Sequence, residues 1–306
     1  MPAEADATEG PLGQKCDAPD EYAPDVLFPI ARSRGRSLLG LEDGVALPFA
    51  GEDVWNCYEL SWLNARGVPR RSALEVRIPC DTPFLVESKS LKLYLNSLSF
   101  KRFSGEAELL TTIRTDVART LGCEASRLTA LLRGPTDLSP LDDTAWECVD
   151  DEDVGELAAE HFSRTDETHL VVDANAAAAA ATGGSPAEVT ERLVSHLLRT
   201  LCPVTGQPDW GTVLIEYTGR RMDRAGLLRY LTSLRREVGF HENAVEALAL
   251  AIQRQCAPRA MRITGRFLRR GGIDINPVRT IGNGAAEDAA AVLAPVGQAQ
   301  WRVPGQ

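Results

Sequence analysis

The apolar positions change period several times along the chain, and each change marks an element. From Asp53 to Leu63 the run DVWNCYELSWL is aromatic and apolar, and from Ala73 to Pro79 the run ALEVRIP alternates apolar with charged residues, as half-buried strands do. Asn64-Ala65-Arg66-Gly67 between them supplies turn chemistry, so the two runs are expected to pair. Beyond Pro83 the period lengthens. Leu91, Tyr94 and Leu95 share one helical face within Ser88 to Asn96, and Glu106 to Leu121 reads as a second amphipathic helix.

In the second half Ser185 is placed to cap a helix, Pro186 suits its first turn, and Glu188 completes a capping box before Val189, Leu193, Leu197 and Leu201. This predicts a helix that delivers Cys202 at its C-terminal end. Trp210 to Tyr217 reads as a strand, and Asp223 as the cap of a helix carrying Leu227, Leu231, Leu234 and Val238. Asn243 to Cys256 reads as another helix with Val245, Leu248 and Ile252 inward, and Met261 to Leu268 as a closing strand. Both halves thus offer paired strands with two helices on one face, a duplication of pattern and not of residue identity. The alanine run Ala176 to Ala181 followed by Gly183-Gly184 reads as a linker, and the two ends lack periodicity. The expected organisation is a disordered extension over 1–22, a first module over 23–172, a linker over 173–184, a second module with the cysteine over 185–283, and a flexible tail over 284–306.

Composition narrows the partners. A chain of 306 residues, 44% hydrophobic and 25% charged, has room for a substantial core in one or two modules. Acidic residues outnumber basic ones 43 to 33, and the net charge of −10 repels phosphate backbones, which argues against nucleic acid as a direct partner. No stretch approaches the roughly 20 apolar residues of a membrane span, and the acidic start lacks the apolar run of a secretory signal. Seven scattered cysteines without a CxxC pair suggest neither disulfides nor a zinc knuckle, so a reducing cytoplasm is expected. The four histidines show no zinc-ligand spacing, and no metal is expected. Neither GxGxxG nor GxxxxGK[ST] occurs, so a nucleotide cofactor must bind outside those designs.

Candidate chemistry concentrates in a few blocks. Cys202 lies in LCPVTGQPDW, an irregular loop fixed by two prolines and a glycine ahead of a strand. It reads either as a small buried hydrophobe or as a thiolate nucleophile toward an electrophilic carbon. Asp209, across the turn, reads either as Pro-Asp turn chemistry or as an acid that protonates a developing anion. His241-Glu242 stands before a helix, either as a surface His with a capping Glu or as a pair that binds the edge of a polar heterocycle. Glu87-Ser88-Lys89-Ser90-Leu91-Lys92 is a capping box with a basic face or a cradle for an anionic ligand. Arg269-Arg270-Gly271-Gly272 is a basic turn or a phosphate contact where glycine lets the backbone approach.

These blocks, together with Asp53-Val54-Trp55-Asn56, Tyr58-Glu59-Leu60-Ser61-Trp62-Leu63-Asn64, Leu93-Tyr94-Leu95-Asn96-Ser97, Phe240 and Ile273-Asp274-Ile275-Asn276-Pro277, run in order over residues 28 to 280. In combination they resemble the long, two-module form of the queuosine-pathway nitrile reductases, QueF, of the tunnelling fold. The resemblance implies an α+β chain of two tandem tunnelling-fold modules, with antiparallel sheets and helices packed on one face. It implies reduction of 7-cyano-7-deazaguanine to 7-aminomethyl-7-deazaguanine by two NADPH, on the route to a tRNA modification. Cys202 would attack the nitrile carbon to give a thioimide, and Asp209 would donate the proton. Val86, Glu87, Ser88, His241 and Glu242 would hold the deazapurine, and Ser88, Lys89, Arg270 and Gly271 would contact NADPH. A homodimer is also implied.

The sequence departs from the family in its acidic N-terminal extension, its alanine run and its proline-containing tail, which leaves module boundaries and oligomer contacts open. The rival readings are a zinc-dependent tunnelling-fold enzyme acting on a pterin or purine, a non-catalytic deazapurine-binding module, and a cysteine-dependent nitrile hydrolase. Zinc content, nitrile-dependent NADPH oxidation and product mass separate them.

Overall fold

The computed structural model describes residues 10–14, 17–134, 138–140, 145–173, 188–282 and 300–302. The elements in order are β1 (Pro29–Ala31), α1 (Arg32–Leu38), β2 (Ala50–Leu63), β3 (Pro69–Pro79), β4 (Phe84–Val86), α2 (Ser88–Ser97), α3 (Glu106–Leu121), β5 (Thr129–Arg133), β6 (Leu138–Pro140) and β7 (Glu147–Cys148). They continue with β8 (Glu188–Leu201), β9 (Pro208–Arg220), α4 (Arg224–Ser233), α5 (His241–Cys256), β10 (Ala260–Phe267), β11 (Ile273–Gly282) and β12 (Gln300–Arg302). This is a mixed α+β fold built on largely antiparallel sheet. Among the described residues, no helix is long and apolar enough to cross a membrane.

Contacts divide the chain into two compact units. One comprises Met1–Ala46, Glu52–Ser139 and Arg269–Ile275; the other comprises Leu47–Gly51, Pro140–Leu268 and Asn276–Gln306. Residues 140–172, grouped with the first module on sequence grounds, cluster with the second unit, and a short return segment joins the first. Of the stretch read as a linker, all but Asp173 lies outside the described residues.

In the first unit β3 pairs antiparallel with both β2 and β5. Trp55 faces Val76 and Cys57 faces Leu74, so their side chains share one face of the pleat. Against this face pack Leu91, Tyr94 and Leu95 of α2 and Leu109, Ile113, Val117 and Leu121 of α3, in one buried cluster. At the edge of that core the Asp116 carboxylate accepts hydroxyls from Tyr22 at 2.5 Å and Tyr94 at 2.7 Å.

The second unit is ordered β11-β10-β9-β8-β7. The ladder is antiparallel except at the edge, where β7 runs parallel to β8. The stretch expected to be a helix from Ser185 is instead strand β8, and Ser185 and Pro186 lie outside the described residues. The physical reason is that a spacing of four is even. Val189 and Leu193 satisfy a strand's period of two as well as a helix's period, and the pairing with β9 along nearly the whole strand decides between them. Val189, Thr190, Val194 and Thr200 add β-branched preference. Val238, expected on the inward face of the helix capped by Asp223, falls beyond α4 and is exposed.

β2 and β8 share a further feature. Each is 14 residues long, and in each the register slips by one residue after the eighth position, between Cys57 and Leu60 and between Ser195 and Leu198. One extra residue reverses the parity of every later side chain. Hence Trp55 and Cys57 before the bulge, and Leu60 and Trp62 after it, all reach the same buried cluster.

In the second unit Arg279 is fully buried on β11, and its Nε and Nη2 both donate to Glu246 Oε1 on α5 at 3.1 and 2.9 Å. Removing one partner of such a pair strands the other charge in the core. Glu246→Ala is therefore expected to lower unfolding free energy by about 3–5 kcal/mol. Urea unfolding checks this, with a lower midpoint at unchanged m-value.

Candidate active site

The site in the second unit grows from the β8–β9 ladder. Register sets Thr200 opposite Asp209 and Leu201 opposite Pro208, so residues far apart along the loop stand at the same end of two adjacent strands. The connection from Cys202 to Gln207 closes on itself. The Cys202 amide donates to Gln207 O and the Gly206 amide to Cys202 O, each at 2.9 Å. Gly206 takes φ +65, a left-handed conformation that favours glycine. Cys202 is 8% exposed and Asp209 4% exposed. The thiol therefore sits in a rigid hairpin loop next to a buried carboxylate's strand, not at the end of a helix.

The same strand end anchors α5. The Leu201 amide donates to Glu237 O at 2.8 Å and the Gly239 amide to Leu201 O at 3.1 Å, which fixes the approach to His241. His241 Nε2 lies 3.3 Å from Asp209 Oδ1, and its ring stacks on Phe267 with centroids 3.9 Å apart and planes 3° from parallel. His241 Nδ1 is buried without a hydrogen-bond partner among the described residues. Glu242 comes next, in the first turn of α5, and is buried where the free N–H groups of a helix start favour a carboxylate. Cys202, Asp209 and His241, three residues expected from sequence, thus stand at one hairpin end, with Glu242 next in the chain after His241. Phe267 was not foreseen, because no local signal marks a strand residue as the platform for a ring on a distant helix.

In the first unit the expected residues gather at the β4–α2 junction. β4 pairs with β1, setting Val86 opposite Pro29, and the Glu87 amide donates to Phe28 O at 2.8 Å. Glu87 is 1% exposed and caps α2, accepting from the amides of Lys89 at 2.6 Å and Ser90 at 2.8 Å and from Ser88 Oγ at 3.3 Å. Burial raises the pKa of its carboxyl above the ordinary value, and the opposing N–H and O–H donors only partly offset this. Lys89 Nζ donates to Pro11 O at 3.0 Å and also to Gln14 O, so residues 10–14 of the N-terminal extension lie over this corner. A Cβ built on Gly10 would stand 3.3 Å from Glu87 Cγ.

Arg270 and Gly271 are also in the first unit, in a tight turn closed by Arg270 N to Ile273 O at 2.8 Å and Ile273 N to Arg270 O at 3.0 Å. Gly271 at φ +57 and Gly272 at φ +81 meet the demand of a hairpin turn for left-handed backbone at both central positions. The turn lies against Lys92, whose Cδ would be 3.6 Å from a Cβ on Gly271 and whose Nζ is 3.1 Å from Glu59 Oε2. Glu59, Lys92, Asn96, Gly271 and Gly272 line a cavity of about 160 Å³. Ligand pockets usually span about 300–1,000 Å³, so this one is too small for a whole dinucleotide. Lys92, one helical turn beyond Lys89 on α2 and the last residue of the Glu87–Lys92 block, is a further cation of this corner, although the family resemblance assigned it no contact.

Comparison with known proteins agrees across the chain. A family model described as "Nitrile reductase, 7-cyano-7-deazaguanine-reductase N-term" matches residues 18–127, and one described as "QueF-like protein" matches residues 208–285. A protein of Desulfotalea psychrophila is 42% identical over 88% of this chain and 92% of its own length. A protein of Aromatoleum aromaticum is 44% identical over 90% and 92%, and one of Azoarcus is 44% identical over 89% and 91%. All three are named NADPH-dependent 7-cyano-7-deazaguanine reductase.

The raised Glu87 pKa carries a sign. Folded Glu87 keeps its proton to higher pH than the unfolded chain, so its contribution to stability is full below the ordinary value of 4.5 and is lost as pH rises through the folded value. Glu87→Gln cannot titrate. The unfolding free energy of the variant relative to the unaltered protein is expected to increase from about pH 4 to about pH 7, measured by urea unfolding at each pH.

Proposed function

Because this chain belongs to the family of NADPH-dependent 7-cyano-7-deazaguanine reductases, we propose that it performs that nitrile reduction through a thioimide on Cys202, with Asp209 as the proton donor. The observation that carries this assignment is the hairpin end itself. Cys202 and Asp209 stand on its two sides, and Asp209 is paired with a stacked, partly buried His241. A nitrile accepts hydride poorly. Addition of the Cys202 sulfur to its carbon forms the C–S bond and breaks one π bond, and the electron pair moves to nitrogen, where the Asp209 proton is delivered. The His241 imidazole beside Asp209 orients that carboxyl and offers a route to restore its proton for later steps.

The heterocycle presents N–H donors along one edge. In the second unit the buried Glu242 would accept such a donor, and His241 Nδ1, without a hydrogen-bond partner among the described residues, would meet a further polar atom of the ligand; in the first unit the buried Glu87 is the acceptor that the family resemblance assigns. Val86, buried at the end of β4, and Ser88, at the start of α2, would shape the pocket around Glu87.

Bound NADPH supplies the hydride equivalents, two molecules per nitrile for a four-electron reduction to the primary amine. The residues fit such a group. The Arg270-Gly271 turn lacks a Cβ at its tip, lies against the Lys92 side chain, and offers guanidinium and ammonium charge to phosphate. Ser88 and Lys89 extend that basic face toward the α2 N-terminus, where residues 10–14 hold Lys89 until a ligand competes for it. The finer features of this reading are two tandem tunnelling-fold modules, supported by the matching bulge in β2 and β8, together with a homodimer in the cytoplasm.

Incubation with 7-cyano-7-deazaguanine without NADPH, followed by intact-protein mass spectrometry, is expected to show one substrate-sized adduct, absent in Cys202→Ala and retained in Cys256→Ala. Cys256 is an unreactive control, because burial pushes its thiol up to about 11 and keeps it protonated. An adduct that survives Cys202→Ala would remove Cys202 from the mechanism. Asp209→Asn is expected to lower kcat by about a hundredfold to ten-thousandfold with the fold intact, read from steady-state NADPH oxidation and circular dichroism.

A further inference from the structure

The reductive chemistry makes no use of a cluster around Cys148 in the same unit. Cys148, Asp150 and His196 offer a thiol, a carboxylate and an imidazole, with one ligand atom of each within 4.8 Å of the others. It is the one such group of three or more metal-type donors among the described residues.

The fold builds this group from the β7–β8 edge. Cys148 pairs with Val194 in the parallel ladder, and the Val149 amide donates to Val194 O at 3.0 Å, which brings the next turn over the β8 bulge. His196 is inside that bulge, between Ser195 and Leu198, where an extra residue re-aims a side chain. Each polar donor is already held in place. Asp150 Oδ1 accepts from Ser195 Oγ at 2.6 Å, and Asp150 Oδ2 accepts from the His196 amide at 2.9 Å. His196 Nδ1 lies 2.9 Å from Thr212 Oγ1, itself buried on β9. Outer contacts of this kind fix ring orientation and carboxylate geometry at metal sites, and each carboxylate oxygen retains a lone pair for a cation.

We propose that Cys148, Asp150 and His196 bind a zinc ion that clips β7 and the turn after it onto the bulge of β8. The donor set selects the metal. A thiolate disfavours magnesium and calcium, whereas one sulfur, one nitrogen and one oxygen with a water in the fourth position match tetrahedral zinc. Bond lengths of about 2.0–2.3 Å require the three donors to close by about 1 Å, within reach of side-chain rotation at an exposed edge. Charge balances as well, because thiolate and carboxylate neutralise a divalent cation.

The test uses the full chain, stripped with chelator and titrated with cobalt(II), a spectroscopic stand-in for zinc. One equivalent is expected to give a thiolate-to-cobalt charge-transfer band and tetrahedral visible absorption, both abolished by added zinc. Cys148→Ser is expected to remove the charge-transfer band and weaken zinc binding by about a hundredfold, and His196→Gln to weaken it similarly. Cys202→Ala should leave spectrum and affinity unchanged, which separates this site from the hairpin thiol. Because Cys148 is exposed, its serine variant keeps the fold, verified by an unchanged Tm without metal. Zinc should raise Tm in the unaltered protein and not in Cys148→Ser. A missing cobalt band, a band that persists in Cys148→Ser, or one that vanishes in Cys202→Ala would each overturn the assignment.

Discussion

The antiparallel ladder between β8 and β9 sets the position of nearly every group in the second unit's site. Cys202 begins where the ladder ends on one side and Asp209 is among its first residues on the other, so their nearness is a property of register. A one-residue slip would turn every later side chain of β8 to the opposite face. The bulge at His196 and Leu197 is therefore part of the site's geometry, since it determines the parity with which Leu198, Thr200 and Cys202 arrive. The hydrogen bonds from Leu201 to Glu237 and from Gly239 back to Leu201 then tie the start of α5 to the same strand end.

Several buried acids elsewhere in the molecule are compensated by arginine. Asp53 meets Arg32, Glu75 meets Arg77 and Arg133, Glu191 meets Arg224, Glu216 meets Arg192 and Arg262, and Glu246 meets Arg279. Glu87 is treated differently. Its carboxylate is met by two amides and a hydroxyl, and no guanidinium pairs with it among the described residues. Donors of this strength do not cancel desolvation, which is why its proton is held more tightly. A carboxylate stabilised only in part by the protein has the most to gain from a ligand that brings its own N–H groups.

Much of this is legible in the sequence where period and turn chemistry agree. The β2–β3 hairpin, α2, α3, α5 and β10 emerge from apolar spacing, and Asp223 caps α4 through the Gly226 amide as its residue type suggests. β8 reads as a helix because a spacing of four serves two periods, and because its decisive partner, β9, is a tertiary fact. The return of Arg269–Ile275 to the first unit has no local signature for the same reason. Cys202, Asp209 and His241 are visible as chemistry, yet the Asp209–His241 pair and the Phe267 platform need the fold. The zinc donors are invisible in the sequence, since Cys148 and His196 belong to different strands and no ligand spacing links them.

β2 and β8 have the same length and carry their bulge at the same place, but the loops beyond them differ. After β2 the chain enters a turn held by Asn64, whose side-chain oxygen accepts the amides of Arg66 and Val68 at 3.0 Å each. That turn is satisfied by its own side chain and leaves no reactive group. After β8 the equivalent step carries Cys202, with the loop closed by hydrogen bonds between the backbone of Cys202 and that of Gly206 and Gln207 and by the Gln207 amide on Thr205 Oγ1, none of which uses the thiol. The bulges diverge in parallel. In β2 the Tyr58 hydroxyl is anchored on Asp274 at 2.5 Å, and in β8 His196 is turned toward Asp150 and Thr212. An extra residue in a strand leaves side chains that the ladder does not dictate, and the loop beyond it receives side chains of a chosen parity. Changes of chemistry at those two positions therefore cost the sheet little, which accounts for their concentration there.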